Sequence, residues 1–321
     1  MRILVTGASG FVGRVVCRYL HDGGHKVVAV SRTPDLDVGA DCNVVAVGEI
    51  DANTSWTDAL KDVDGVIHLA ALTHRDQSLD TIDAYRSINV DGTAQLARSA
   101  MAVGVESFVF MSSIKVNGES SPLNDNGEPQ RVSGKDAPRA TSFYGRSKLE
   151  AEQVLREVFA ESPVRVVILR PPLVYGVGQK GNLRSLMRAV DRGVPLPFGN
   201  VNNKRSLISV NNLASAAVKV LDDKTMRSGT YTLADTEIST ADLVRSIAHA
   251  MGRKPRLFSF PLSVLERFAQ LLGRSEQLSK ATGSLIVDRS QFVEDFGWVP
   301  DLDFDNTWYE IAESFRSKPI K

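Results

Sequence analysis

Short apolar runs alternate with longer amphipathic stretches through the first half of the chain. The apolar runs predict strands at residues 2–5, 26–30, 65–69, 107–111 and 164–169. Between them, apolar residues recur every three or four positions, which predicts helices at residues 11–21, 84–103 and 143–160. Strands this short and apolar, separated by helices, are typical of a parallel sheet that is buried on both faces. The pattern predicts an α/β fold built on a doubly wound parallel sheet.

The regular pattern ends near Arg170, where prolines and glycines interrupt it. Beyond that point it predicts a strand at residues 230–233 and helices at residues 210–221, 239–251, 263–272 and 305–316. We interpret this part as a smaller C-terminal lobe. The helix predicted at 263–272 carries an apolar stripe formed by Leu265, Phe268, Leu271 and Leu272. We expect this stripe to pack into the core rather than to lie on a membrane surface.

Composition and charge narrow the classes of function. The chain has 321 residues, 43% of them hydrophobic, which is enough for a large buried core. Lys and Arg total 38 and Asp and Glu also total 38, so no overall cationic excess favours nucleic acid or an anionic membrane as a partner. No apolar run reaches the roughly 18 residues of a spanning helix, and the first residues form a strand pattern rather than a signal peptide. We expect a cytoplasmic protein that acts on a small molecule.

The two cysteines, Cys17 and Cys42, do not have the spacing of metal ligands. Cytosolic thiols of this kind are expected to stay reduced. We predict no metal site.

A glycine-rich turn joins the first predicted strand to the first predicted helix. Gly7, Gly10 and Gly13 have the spacing GxxGxxG. Glycines here let the backbone turn sharply and approach a pyrophosphate that sits on the helix N-terminus. A merely tight strand-to-helix turn is the alternative interpretation. We predict a dinucleotide cofactor bound at Gly7, Gly10, Phe11, Val12 and Gly13.

The end of the second predicted strand indicates which dinucleotide binds. An acidic side chain at this point would bind the ribose hydroxyls of NAD and repel a 2′-phosphate. Ser31 and Arg32 stand here instead, and a hydroxyl followed by a guanidinium suits a phosphate. We predict that NADP(H) is preferred, with NAD(H) as the alternative cofactor. Arg32 as a solvated loop residue is the other interpretation.

Tyr144 and Lys148 have the spacing that places two side chains on one face of a helix, and Thr141 or Ser142 can cap that helix. A free phenol has a pKa near 10, so proton transfer near neutral pH needs that pKa lowered by about three units. A neighbouring ammonium and a cationic nicotinamide have the charge required. Ser113 follows an apolar strand at the sheet edge where ligands bind, and its hydroxyl can hydrogen-bond the substrate oxygen.

Several motifs occur in the order that is typical of one enzyme family. They are residues 6–13, 68–71, Asn89, Ser112–Ser113, residues 144–148 and residues 169–176. As a set they resemble the extended short-chain dehydrogenases, the epimerase/dehydratase family. The resemblance implies a Rossmann-type NAD(P)-binding domain at residues 1–170 plus about 206–235. It also implies a nucleotide-sugar-binding lobe at 171–205 and about 236–321, a UDP-sugar substrate and a homodimer packed through helices near 84–103 and 143–160.

The resemblance also implies a role for individual residues. Ser113 matches the catalytic hydroxyl, Tyr144 the acid/base and Lys148 the lysine that binds the cofactor ribose. Further cofactor contacts are expected at Ser31, Arg32, Glu49, Ile50, Leu69, Ala70, Ala71, Asn89, Pro171 and Leu173. Substrate contacts are expected at Thr73, His74, Ser113, Asn182, Leu183, Phe198 and Arg205.

Two departures from the family's motifs bear on the type of reaction. Sugar 4,6-dehydratases carry an acidic pair directly after the catalytic hydroxyl, where this chain has Ile114 and Lys115. The 4-epimerases usually carry an acidic residue at the position of Ser31 and an asparagine at that of Leu173. Dehydration is therefore disfavoured, and epimerisation is weakened.

The segments 67–74 and 113–118 resemble a bacterial subgroup that includes reductases of UDP-4-keto-6-deoxy-N-acetylglucosamine. The favoured hypothesis is therefore a nucleotide-sugar 4-keto reductase, running in either direction. A nucleotide-sugar 4-epimerase is the second hypothesis. The third, from a different class, is a protein that binds the cofactor without catalysis, which the complete set of Ser113, Tyr144 and Lys148 opposes.

Overall fold

The computed structural model describes residues 1–34, 36–39, 41–73, 81–223, 225–273 and 275–317. Its centre is a parallel sheet of seven strands in the order β10-β7-β5-β4-β1-β2-β3. The strands are β1 (Arg2–Thr6), β2 (Lys26–Ser31), β3 (Asn43–Ala46), β4 (Gly65–His68), β5 (Ser107–Met111), β7 (Arg165–Arg170) and β10 (Gly229–Thr232). This arrangement confirms the predicted fold class.

Helices cover both faces of this sheet because successive side chains of each strand point to opposite sides. In β1, Ile3 and Val5 join the core under one set of helices, and Leu4 joins the core under the other set. The first set is α1 (Phe11–Asp22) and α6 (Val210–Asp222), and the second is α3 (Gly92–Val103) and α4 (Phe143–Val158). The buried sheet thus fixes the positions of its strand ends, where the predicted site residues lie.

A third core lies beside the large sheet. It is formed around Tyr175, Leu183, Met187, Leu207, Val244 and Trp308. The strands outside the large sheet are β6 (Arg131–Val132), β8 (Leu173–Tyr175), β9 (Arg205–Ser209), β11 (Thr236–Ile238) and β12 (Ile286–Val287). The helices of the third core are α5 (Asn182–Asp191), α7 (Thr240–Ala250) and α11 (Phe304–Ser317). Helices α8 (Leu262–Leu271) and α9 (Ser275–Thr282) follow α7 in the chain, and α10 (Ser290–Phe296) packs against the core of the large sheet. Strands β8, β9 and β11 form one small sheet, and β6 pairs with β12.

The helix predicted over residues 84–103 is more complex than expected. It begins as α2 (Ile82–Arg86), widens into a π-helical turn at Ser87–Asp91 and continues as α3. The wider turn was not predicted, because a run of apolar positions does not distinguish a π-helical turn from an α-helical one. π-helical turns inside α-helices are frequent at functional sites.

The apolar stripe near the C-terminal end of α8 is on the surface, so the prediction that it packs into the core is wrong. Phe268 is 55% exposed, Leu271 82% and Leu272 70%, while Leu265 is half-buried. Ala269 is the residue of α8 that is buried. Periodicity shows which residues share a face of a helix, and it does not show whether another element covers that face. In the described parts of the chain, no helix has the length and apolar character needed to span a bilayer.

Candidate active site

The glycine turn forms a cradle that a side chain would fill. Gly7 has a positive φ of 67°, and a Cβ there would lie 2.8 Å from the Ala70 backbone nitrogen. A Cβ on Gly13 would collide with the Gly7 carbonyl oxygen. The first turn of α1 contains no acidic residue, so its unpaired N–H groups are open to an anion. This cradle fits the pyrophosphate of a dinucleotide, as predicted for residues 7–13.

A buried chain of hydrogen bonds holds the cradle against the end of β4. The Thr93 hydroxyl donates to the Asn89 carbonyl and lies 2.9 Å from His68 Nε2. His68 Nδ1 lies 2.6 Å from Thr6 Oγ1, which also accepts from the backbone N–H groups of Leu69 and Ala70. Burial, aided by the charge of Lys148, lowers the pKa of His68 to about 3, so this histidine is neutral.

Asn89, a predicted cofactor contact, has its amide engaged by the protein. Its Oδ1 accepts from the Leu72 N–H at 2.7 Å, and its Nδ2 donates to the Leu72 carbonyl at 3.0 Å and to the Ser147 hydroxyl at 2.9 Å. Asn89 therefore ties the loop after β4 to α4. Among the predicted contacts of this loop, Ala71 is half-buried, Thr73 is exposed, and His74 lies outside the described residues.

Ser31 and Arg32, the residues predicted to contact the adenosine end of the cofactor, lie where β2 ends. Ser31 is buried, and its hydroxyl accepts from the Thr33 N–H. Arg32 Nη1 is 3.3 Å from Glu49 Oε1, and both side chains are largely exposed. Arg32 and Glu49 therefore form an ion pair. Both were predicted to contact the adenosine. Ile50, the next predicted contact, packs against Gly92.

Ser113 and Tyr144 meet where β5 ends and α4 begins. Ser142 caps α4 by accepting from the Gly145 N–H at 3.2 Å, so the phenol of Tyr144 stands in the first turn. The Ser113 hydroxyl hydrogen-bonds this phenol. Burial raises the pKa of Tyr144 to about 12, and the bond from Ser113 opposes that shift. The lowered pKa expected from the sequence is therefore not seen, because desolvation outweighs the favourable hydrogen bond.

Lys148 lies one turn further along α4 and is fully buried. Its Nζ rests 4.3 Å from the centre of the Phe110 ring. Burial lowers its pKa to about 7, and the carboxylate of Glu152 on the next turn opposes that shift. The ammonium is thus close to the point of losing its charge at neutral pH.

Two residues that the sequence analysis did not assign to the site lie against Tyr144. The Tyr85 ring centre is 6.4 Å from that of Tyr144, and Lys115 Nζ is 5.9 Å from the same ring. Lys115 also pairs with Glu119 at 3.5 Å. No spacing motif connects Tyr85 with Tyr144, so the sequence held no signal for that contact.

Four of the predicted substrate contacts come after residue 170: Asn182, Leu183, Phe198 and Arg205. Asn182 is exposed at the start of α5, whereas Leu183 is buried in the third core, so its backbone N–H is the part that can face a ligand. Phe198 is half-buried. Arg205 starts β9 and donates to the Gly283 carbonyl at 3.0 Å. Burial lowers its pKa, opposed by the nearby charge of Glu119.

Of the two contacts predicted for the nicotinamide, Pro171 is buried and its carbonyl accepts from the Ile114 N–H at 3.0 Å, while Leu173 is exposed. Within the described residues, no three His, Cys, Asp or Glu side chains are grouped as they would be to hold a metal ion.

Known proteins resemble this chain along most of its length. Residues 3–234 match the NAD dependent epimerase/dehydratase family. The chain is 37% identical over 319 residues to UDP-glucose 4-epimerase of Vibrio cholerae, covering 98% of this chain and 95% of that protein. It is 26% identical over 307 residues to an N-acetyl-α-D-glucosaminyl-diphospho-ditrans,octacis-undecaprenol 4-epimerase of Escherichia coli O157:H7, covering 94% and 87%.

Solved structures share the fold. MoeE5 in complex with UDP-glucose and NAD has a TM-score of 0.78 and 26% identity, covering 99% of both chains. UDP-glucuronic acid 4-epimerase from Bacillus cereus, in complex with UDP-glucuronic acid and NAD, has a TM-score of 0.79 and 21% identity, also covering 99% of both chains. Together with the glycine cradle, these matches show that the chain belongs to the NAD dependent epimerase/dehydratase family of extended short-chain dehydrogenases and is an NAD-dependent enzyme of that type.

Proposed function

We propose that this protein is a nucleotide-sugar 4-epimerase that oxidises and re-reduces the sugar at C4. The observation that carries this proposal is the contact between Ser113 and Tyr144, one helical turn before the buried Lys148. A hydroxyl, a phenol and an ammonium next to a dinucleotide cradle suit hydride transfer at a carbon that bears a hydroxyl. The name of the Vibrio cholerae relative suggests UDP-glucose and its C4 epimer as the substrate pair.

In this mechanism Tyr144 moves the proton. Its phenolate takes the proton of the 4-hydroxyl as the C4–H bond breaks. After the 4-keto sugar has rotated to present its other face, Tyr144 returns a proton to the 4-keto oxygen. Bound NAD⁺ supplies the hydride acceptor and, through its positive charge, favours the phenolate. Ser113 donates a hydrogen bond to the same sugar oxygen, and Lys148 holds the cofactor ribose. The sugar first loses two electrons and then regains them, so no cofactor is consumed.

We also propose that different parts of the chain bind the cofactor and the substrate. Residues 1–170 and about 206–235 hold the dinucleotide, with Gly7, Gly10 and Gly13 at its pyrophosphate. Residues 171–205 and about 236–321 hold the nucleotide sugar, with Asn182, Leu183, Phe198 and Arg205 at the nucleotide and diphosphate. Thr73 and His74 remain predicted contacts of the sugar, and Pro171 and Leu173 remain predicted contacts of the nicotinamide. A homodimer packed through α3 and α4 and a cytoplasmic location remain predictions, and sedimentation and cell fractionation test them.

A 4-keto reductase is the second candidate, and Ser31 with Arg32 favours it. These two residues suit the 2′-phosphate of NADP(H), the usual donor for net reduction. Glu49 beside Arg32 opposes that phosphate, which favours NAD and the epimerase. Ile114 and Lys115, where dehydratases carry acids, disfavour dehydration in both cases.

One experiment separates these candidates. Purified protein is supplied with UDP-glucose, and separately with a UDP-4-keto-6-deoxy sugar and NADPH, while reduced nicotinamide is followed by absorbance and the sugar by NMR. The epimerase forms the C4 epimer of UDP-glucose without net change in reduced cofactor. Stoichiometric oxidation of NADPH with the keto sugar, and no epimer from UDP-glucose, would establish the reductase instead.

A further inference from the structure

An exposed apolar stripe runs along α8 and ends at Leu272. Its members are Val264, Phe268, Leu271 and Leu272, and all four are exposed. At about 100° per residue, they fall within a single arc of roughly 100° on the helix. Arg267 lies at the edge of that arc. Soluble domains rarely leave such a contiguous set of large apolar side chains facing water, so this stripe marks an interaction surface.

Basic side chains lie on α5 and on the segment that leads into α8. Arg184, Arg188 and Arg192 follow one another at four-residue steps; Arg192 is exposed, whereas Arg184 and Arg188 are half-buried. Lys254 and Arg256 are exposed on the segment that precedes α8. In the described part of the chain, exposed Arg192, Lys254 and Arg256 form no ion pair with a carboxylate. The neighbouring acid, Asp191, is already paired with Arg253 at 2.9 Å.

Backbone contacts join the loop after α5 to the segment that precedes α8. The Leu196 N–H donates to the Arg256 carbonyl at 2.8 Å, and the Phe258 N–H donates to the Leu196 carbonyl at 3.1 Å. The segment before α8 therefore lies along the loop that leaves α5. Exposed Val194 and Phe258 extend the apolar surface at this junction. We call the surface formed by these cations and apolar residues the basic–apolar face.

We propose that the basic–apolar face docks on an anionic phospholipid bilayer. The stripe of α8 enters the interface between headgroups and acyl chains, and Arg192, Lys254 and Arg256 contact lipid phosphates. Although the whole chain has no net charge, residues 251–273 hold four basic side chains and a single acidic one, so the charge is concentrated locally. A nucleic acid would contact the cations but not the apolar stripe. A purely apolar protein partner would contact the stripe but not the cations.

Vesicle binding tests this proposal on the full chain. Co-sedimentation is measured with vesicles of phosphatidylcholine alone and of phosphatidylcholine mixed with phosphatidylglycerol. We expect binding to the mixed vesicles, weakened by salt, and little binding to the neutral ones. The double variant Phe268→Glu, Leu271→Glu is expected to bind at least about tenfold more weakly, because two carboxylates would have to enter an apolar interface. Lys254→Glu with Arg256→Glu is expected to remove the preference for anionic lipid.

Leu302→Glu is the matched control, since Leu302 is 65% exposed and lies outside this face. It should bind vesicles like the parent protein, and all variants should keep the parent's thermal stability and its turnover of a water-soluble nucleotide sugar. Two results would overturn the proposal: equal loss of binding in the control, or no binding of the parent to anionic vesicles. Self-association of the parent that Leu271→Glu abolishes would identify the face as a protein interface instead. Because turnover is measured separately, failure here leaves the proposed reaction untouched.

Discussion

Glu152 and Arg170 form a buried two-pronged ion pair beneath the candidate active site. Arg170 Nε is 2.8 Å from one carboxylate oxygen, and its Nη2 is 2.5 Å from the other. The Ser112 hydroxyl donates to the same carboxylate at 2.6 Å. The carboxylate thus joins the ends of β5 and β7 to α4, and so fixes Ser113 relative to Tyr144.

We expect Glu152→Gln to lower the free energy of unfolding by about 3–5 kcal/mol, because it leaves the Arg170 guanidinium buried without a counter-charge. Glu150→Gln is the matched control on the same helix. Both carboxylate oxygens of Glu150 bind Arg86, but that pair is partly exposed. Its loss should lower the free energy of unfolding by less than about 1 kcal/mol. Urea unfolding measures both values. Equal losses would mean that burial does not strengthen the inner pair.

Lys148→Met is expected to change stability in a pH-dependent way. Burial lowers the pKa of Lys148 to about 7, whereas a lysine in the unfolded chain titrates near 10.4. Below pH 7 both states hold the proton, and the folded state bears the cost of a buried cation. Between pH 7 and 10 the unfolded chain alone is protonated, so this cost fades as pH rises.

The variant should therefore be more stable than the parent at pH 6, and the difference should shrink towards pH 10. Thermal unfolding across this range provides the measurement. Lys219→Met, which removes an exposed lysine, controls for the loss of a charge as such. A difference that stays constant with pH would contradict the account of Lys148.

Arg32→Asp tests the adenosine end. If Arg32 binds a 2′-phosphate, the aspartate should weaken NADP(H) binding by at least about tenfold, by losing a charge-assisted hydrogen bond and adding repulsion. NAD(H) affinity should stay equal or rise. Glu49→Gln should act in the opposite direction, because it removes the carboxylate that now pairs with Arg32. Calorimetric titration measures the affinities for both cofactors. Unchanged NADP(H) affinity in both variants would show that Arg32 is a solvated surface residue.

For the smaller lobe, Arg205→Lys is expected to weaken nucleotide-sugar binding by about tenfold to a hundredfold and to leave dinucleotide affinity unchanged. Lysine keeps the charge but loses the planar fork that binds a diphosphate with two hydrogen bonds. Arg131→Lys, on an exposed arginine of β6, provides the control. Weaker dinucleotide binding in the Arg205 variant would place this residue at the cofactor instead.

The sequence predicted six of the seven strands of the large sheet, and the inner ones are short apolar runs buried on both faces. The edge strand β3 was missed, because its four residues are exposed or half-buried. Strands β8 and β9 were missed. β8 has three residues between prolines and a glycine, and β9 has only two apolar residues, Leu207 and Ile208, so neither carries a readable period. The spacing of Tyr144 and Lys148 predicted that they share a helix face, and α4 contains both.

Other parts of the site depend on contacts between residues distant in the chain. Tyr85 packs against Tyr144, and Glu152 pairs with Arg170. No local sequence pattern encodes either contact. The pKa of Tyr144 was expected to be low from its neighbours, yet burial raises it, and burial is known only once the chain is folded. The exposure of Leu271 was missed for the same reason.

The most direct test of the central claim is the turnover of Tyr144→Phe on the nucleotide sugar that the parent converts. The phenylalanine removes only the exchangeable proton, so cofactor and substrate affinities should stay within a few-fold of the parent, and turnover should fall by roughly a thousandfold or more. Ser113→Ala, measured alongside, should lose less turnover. A Tyr144→Phe protein that keeps a tenth of the parent's turnover would contradict the acid/base role of Tyr144 and, with it, the proposed chemistry at C4.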